Sequence, residues 1–119
     1  MSDKRILFVE DEESIRVTLE LILTKAGYNV LAVDNAEQAL NLLQKNNYDL
    51  IITDLLLQRK NGTEIIQEAK KKTPDIKIIV LTGFLDSSLI DFAKTQELSG
   101  FLQKPFGNDE LLQMIADCL

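Results

Sequence analysis

Residues 51–62 read IITDLLLQRKNG. Ile51, Ile52, Leu55, Leu56 and Leu57 are large and apolar, and Thr53 is β-branched. An apolar run without polar alternation is the pattern of a strand covered on both faces, as in a parallel sheet. The one carboxylate in the run, Asp54, breaks that pattern where a charge is costly to bury. Any reading of the chain must account for both the buried strand and the charge that interrupts it.

Similar runs recur on either side. Arg5–Val9 is nearly continuous apolar, as are Tyr28–Val33, Leu50–Thr53 and Ile76–Leu81, and Gly100–Gln103 is a weaker fifth. Helical spacing falls between them. Ile15, Leu19, Ile22 and Leu23 share one face, with Gly27 as a stop. Asn35 and Gln38 predict a capping box for a helix through Ala39, Leu40 and Leu43. Ile65, Ile66 and Ala69 mark a third helix, closed by Lys70–Lys72 and Thr73-Pro74, where cations complement the helix dipole. Asp86–Glu97 predicts a fourth, and Asn108, as a cap, opens a fifth through Leu111, Leu112 and Ile115. Five strand–helix alternations with right-handed crossovers predict a doubly wound parallel α/β sheet. No linker or repeat interrupts residues 1–119, so a single domain is expected.

Composition removes many functions. The 119 residues include 13 basic and 19 acidic, a net charge of −6, which suits neither nucleic acid nor another polyanion. No histidine is present, which excludes Ser-His-Asp and Cys-His catalysis and histidine-ligated zinc, and no phosphohistidine can form on this chain. The lone Cys118 excludes an internal disulfide and fits a reducing cytoplasm, as a small apolar residue on a terminal helix. No run approaches a membrane span, and the start is too acidic for a secretory signal. Chemistry is left to carboxylates, lysine, hydroxyls and a hard metal ion.

In doubly wound sheets the site lies beyond the carboxyl ends of the strands. Those ends carry Glu10-Asp11-Glu12, Asp54, Thr82-Gly83 and Lys104-Pro105. Each alone has an ordinary reading: an acidic residue after a strand caps a helix, Thr-Gly is a turn, and Lys-Pro is loop chemistry. If strands one, three, four and five lie side by side, these groups converge in one crevice. Clustered carboxylates repel unless a cation intervenes, and oxygen ligands suit Mg²⁺. Asp54 is placed to act as a nucleophile, since carboxylates form acyl phosphates. Lys104 would neutralise a phosphoryl oxygen and Thr82 would donate a hydrogen bond to another. Phosphoryl transfer needs mainly positioning and charge neutralisation, and this set offers both.

With ILFVEDEE, IITDLLLQRKNG, IIVLTG and FLQKPF, the chain resembles the receiver domains of two-component response regulators over essentially its whole length. The resemblance implies a flavodoxin-like (βα)5 fold with strand order 2-1-3-4-5. It implies that Asp54 accepts phosphate from a histidine on a sensor kinase or phosphotransfer protein. Asp11 would ligate Mg²⁺ directly, Glu10 through water, and Asp54 and the backbone carbonyl of Leu56 would complete the protein's share. Thr82 and Lys104 would bind the phosphoryl group. Phe101 stands at the switch aromatic. Phosphorylation would draw Thr82 in, turn Phe101 inward and change the surface of the fourth helix, fifth strand and fifth helix, where Leu89, Ile90, Phe92, Phe106, Leu111 and Leu112 are candidates, most of them expected to be core. The output, a downstream protein or fused domain, is not readable, and the sequence permits a homodimer without requiring one. No DNA-binding segment follows Leu119, so a stand-alone regulator or an excised receiver is expected, with the short finish favouring excision.

Some positions depart from the family pattern. Gln58 replaces the usual proline, although Gly62 is kept, and Glu97-Leu98 replaces the usual Gly-Ala before the fifth strand. Leu56 and Phe84, each two residues beyond Asp54 and Thr82, cannot position a water, so slow loss of the phosphoryl group is expected. Two other functions compete. A receiver fold used only for docking would not need the Asp11, Asp54, Thr82 and Lys104 set. A haloacid-dehalogenase-like phosphatase would carry an aspartate where Leu56 stands. The expectation is a signalling module that catalyses only its own phosphorylation and slow dephosphorylation, rather than an enzyme acting on other substrates.

Overall fold

The computed structural model describes residues 3–57, 60–83, 91 and 94–119. Strand β1 (Arg5–Val9) leads to helix α1 (Glu13–Lys25), β2 (Asn29–Val33), α2 (Ala36–Lys45) and β3 (Leu50–Asp54). A short antiparallel pair, Leu56–Leu57 with Lys60–Asn61, then precedes α3 (Thr63–Lys72), β4 (Lys77–Thr82), β5 (Gly100–Gln103) and α4 (Asn108–Cys118). Of the helix expected over Asp86–Glu97, Asp91, Lys94 and Thr95 are helical. Leu89, Ile90 and Phe92 lie outside the described residues, as do Gln58 and Phe84.

The five main strands are all parallel, in the order β2-β1-β3-β4-β5. The first crossover passes outward to β2 and the chain then returns past β1 to β3, so the order reverses between β1 and β3. That reversal opens the crevice in which such sheets hold their sites. The register sets the crevice floor: Val9 pairs with Thr53, Asp54 with Leu81, and Thr82 with Gln103.

Two apolar cores sandwich the sheet. One joins Leu7, Ile51, Val80, Ile65 and Ile66 beneath α2 and α3; the other joins Ile6, Phe8, Ile52, Leu81, Leu23 and Ile115 beneath α1 and α4. Each such side chain, fully withdrawn from water, contributes about 1.5–3 kcal/mol. The expectation of burial on both faces holds for the three central strands and fails for β2 and β5. Those two are sheet edges, flanked on one side only, and their outward residues remain partly in water.

The helix ends mostly follow their sequence signals. Asn35 caps α2, its side-chain oxygen accepting from the Gln38 amide at 2.8 Å. Gly27 follows α1 with a φ of 99°, a left-handed conformation that glycine adopts without Cβ strain. The Lys72 ammonium at the end of α3 reaches across to the Leu43 and Asn46 carbonyls at the end of α2. The cap expected at Asn108 is displaced by one residue: Gly107 occupies the cap position, without a side-chain bond, and Asn108 is the first helical residue. Cys118 is half-buried on α4, against the core beneath it.

Candidate functional site

Strand β1 delivers Glu10 into the crevice, where the Glu10 amide still donates to the Val33 carbonyl at 3.0 Å. The chain turns there into α1, with Glu12 at its cap position. This turn holds Glu10 at both ends. The Glu12 amide donates to Glu10 Oε2 at 3.1 Å, and the Arg16 guanidinium donates to the Glu10 carbonyl at 3.1 Å. Strand β3 delivers Asp54 and β4 delivers Thr82, both buried. Strand β5 runs one residue further, and the Lys104 amide donates to the Thr82 carbonyl at 2.7 Å, so the backbone ladder aims the lysine at the crevice. The Lys104-Pro105 peptide is cis.

The side chains then meet. The Lys104 ammonium lies 2.6 Å from Glu10 Oε1 and 2.7 Å from Asp54 Oδ2. Carboxylate oxygens of Glu10, Asp11 and Asp54 all fall within 4.8 Å of one another. Burial pushes the Glu10 carboxyl above its ordinary range, although the hydrogen bond from Lys104 opposes this. Burial would lower the Lys104 ammonium, but its bonds to Asp54 and Glu10 outweigh that and hold it above its ordinary value. Lys104 is therefore charged at neutral pH, and it screens two carboxylates from each other.

A hard cation fits this donor set. Oxygens bound at about 2.0–2.1 Å in an octahedron stand at most about 4.2 Å apart. The Glu10, Asp11 and Asp54 oxygens lie within 4.8 Å of one another, a little wider than that span, and the half-buried Asp11 opens the group toward solvent. Clustered carboxylates next to a single ammonium favour such an ion electrostatically.

The residues expected from the sequence at the strand ends thus converge: Glu10, Asp11, Asp54, Thr82 and Lys104 share one crevice. Leu56 lies in the short antiparallel pair just past Asp54. Phe101 stands apart from this group, on β5 opposite Val80, and is 37% exposed. Leu111 is buried core, and Phe106 and Leu112 are partly buried against that core, so those three belong to packing more than to an open face. Three contacts escaped sequence reading: the amide of Glu12, the guanidinium of Arg16 and the hydroxyl of Thr53, which donates to the Asp54 carbonyl at 2.9 Å. Neither a buried threonine in an apolar strand nor an arginine on a helix carries a signal by residue type alone.

Comparison with known proteins gives a consistent picture. The family model for the response regulator receiver domain matches residues 6–116. The response regulator receiver protein CpdR of Brucella abortus is 34% identical, over 98% of this chain and 97% of its own length. The solved structure of the response regulator TrrA of Thermotoga maritima, in complex with Mg²⁺ and BeF, is 34% identical, covers 98% of this chain and 99% of that one, and superposes with a TM-score of 0.85. A CheY-like receiver domain protein of Methanospirillum hungatei reaches a TM-score of 0.92 at 29% identity, over 98% of this chain and 93% of its own.

Proposed function

The chain belongs to the response regulator receiver domain family, and from that premise we propose that it is a phosphoacceptor of two-component signalling, with Asp54 as the residue that carries the phosphoryl group. The observation that carries this reading is the Asp54 carboxylate, buried at a strand end and held by Lys104 at 2.7 Å within a group of three carboxylates. A buried carboxylate needs a partner, and Lys104 supplies it without covering the second oxygen by the same bond.

In the proposed step a carboxylate oxygen of Asp54 attacks the phosphorus of a phosphohistidine on a partner protein. The new P–O bond forms as the P–N bond breaks, and its electrons leave on the imidazole nitrogen, which takes up a proton. Mg²⁺, held by Asp11, Asp54, the Leu56 carbonyl and, through water, Glu10, would neutralise the developing charge on the phosphoryl oxygens. Lys104 stays within reach of Asp54 and pairs with a phosphoryl oxygen. Thr82, at the end of the neighbouring strand, donates its hydroxyl to another. We take the phosphodonor to be a histidine of a sensor kinase or a phosphotransfer protein, since residues 1–119 carry no histidine.

The resulting acyl phosphate adds charge and strong acceptors at Asp54 and biases the domain toward a second packing. Movement of Thr82 toward the phosphoryl group and inward rotation of Phe101 would pass that change to the outer strand and to a downstream protein or fused output domain. The chain's work is then signalling in the cytoplasm, and its only catalysis is its own phosphorylation and slow dephosphorylation. A haloacid-dehalogenase-like phosphatase remains disfavoured by Leu56 at the place of its second aspartate.

Intact mass after incubation with acetyl phosphate and Mg²⁺ tests the reading. The expected result is a gain of one phosphoryl group that depends on Mg²⁺ and is absent from Asp54→Ala. No gain in the wild-type chain would overturn the phosphoacceptor and favour a docking module.

A further inference from the structure

Thr53 is fully buried and flanked in register by Val9 on β1 and Val80 on β4. All three belong to the face covered by α2 and α3, where the surrounding core is apolar. A valine at position 53 would continue the row with nearly the same shape. A hydroxyl in such a place is unfavourable unless it makes a hydrogen bond. The bond it makes is to the main-chain carbonyl of the next residue, Asp54, at 2.9 Å.

The same carbonyl is also approached, beside the hydroxyl, by Gly62, the residue at the start of α3. A Cβ built on Gly62 would collide with the Asp54 carbonyl oxygen and stand 3.2 Å from the Thr53 hydroxyl. The Gly62 amide in turn donates to the Leu55 carbonyl, which closes the loop that leaves Asp54 and returns to α3. The peptide between Asp54 and Leu55 is therefore gripped by a hydroxyl and a side-chain-free backbone. On the opposite strand, the Leu55 amide donates to the Leu81 carbonyl at 3.3 Å. That peptide sets two directions at once: the aim of the Asp54 side chain toward Lys104, and the path of the chain to the Leu56 carbonyl.

We propose that Thr53 is a positioning residue for phosphorylation, its hydroxyl and the bare backbone of Gly62 clamping the Asp54–Leu55 peptide so that the Asp54 carboxylate and the Leu56 carbonyl keep their places in the metal and phosphoryl site. This inference rests on the phosphoacceptor reading of Asp54. Supporting groups of this kind orient the groups that touch the ion and the reacting atoms, and their loss lowers activity on the order of tenfold to a hundredfold. Thr53 touches neither; it acts through the main chain.

The test compares the rate of phosphorylation by acetyl phosphate at saturating Mg²⁺ in the wild-type chain, Thr53→Val and Thr53→Ser, with melting temperatures measured beside it. Thr53→Val keeps the shape and suits its apolar neighbours, so it is expected to fold and to be phosphorylated on the order of tenfold more slowly. Thr53→Ser keeps the donor and is expected to stay near the wild-type rate. If the valine chain does not fold, Thr53→Ala takes its place in the comparison. A valine or alanine variant at the wild-type rate would overturn the clamp. A serine variant as slow as valine would overturn it too, because side-chain volume and not the hydroxyl would then be at work. A wild-type chain that accepts no phosphoryl group would sink the phosphoacceptor reading first, and the role given to Thr53 with it.

Discussion

Glu10 has no exposed surface, yet it is a carboxylate beside two others. Burial raises its pKa most, the bonds from Lys104 and the Glu12 amide pull it down, and the charge on Asp54 adds a smaller upward push. A carboxyl whose pKa is higher folded than unfolded binds its proton more tightly in the native chain. Its ionisation therefore opposes folding in full above the raised value, and the burden is relieved as pH falls toward the ordinary 4.5. In metal-free buffer Glu10→Gln should melt above the wild-type chain at pH 8. The gap should close as pH falls toward 4.5. Added Mg²⁺ should stabilise the wild-type chain and narrow or reverse the difference. Thermal melts across pH check this; a Glu10→Gln chain that melts lower at pH 8 without metal would mean that the pair with Lys104 outweighs burial. This carboxylate was legible in the sequence as part of an acidic end to β1. Its direct pairing with Lys104, 94 positions away, was not, because only the sheet register brings β1 and the end of β5 to opposite sides of β3.

Among the elements, α2 shows how far local signals carry. Asn35 followed by Gln38 predicts the helix start, and the Asn35 side chain does accept from the Gln38 amide. Asn35→Ala should cost about 1 kcal/mol of stability, read from urea unfolding, without changing phosphorylation at Asp54. At α4 the local signal misleads by one residue. Asn108 is a favoured cap type, but Gly107 takes the cap position, and Asn108, Asp109 and Glu110 form the first turn instead. Acidic residues there favour the helix through its dipole whether or not one of them caps it. The edge strands teach a similar lesson. Tyr28–Val33 reads as apolar as the central strands, yet β2 starts at Asn29 and is only half-buried, since an edge position depends on strand order and not on the strand's own residues.

At the scale of the whole molecule, the proposed switch links the crevice to the far edge of the sheet. Thr82 on β4 pairs with Gln103, and Val80 pairs with Phe101, so in the proposed switch a displacement at Thr82 would be passed to the strand that carries the aromatic. Phe101 is 37% exposed in this structure, a position from which inward rotation buries it. Addition of Mg²⁺ with beryllofluoride should therefore move the Phe101 ring resonances toward those of a buried aromatic, as followed by NMR of a phenylalanine-labelled chain. The shift should be absent from Asp54→Ala. A Phe101 ring that stays exposed while Asp54 is phosphorylated would remove it from the switch and leave the phosphoacceptor intact.

The chain's own residues determined the alternation of five strands with helices, the sheet's parallel character and the set of charged groups at strand ends, because period, caps and apolar runs are local properties that survive in one dimension. They also narrowed the chemistry of the site: with no histidine among residues 1–119, it rests on carboxylates, lysine and hydroxyls. Tertiary structure alone decided which strands lie at the edges, how Lys104 bridges Glu10 and Asp54, and why a threonine stands in a row of valines. Each of those depends on residues distant in sequence meeting across the sheet, and the energy of a buried charge or hydroxyl is set by the partner it meets there.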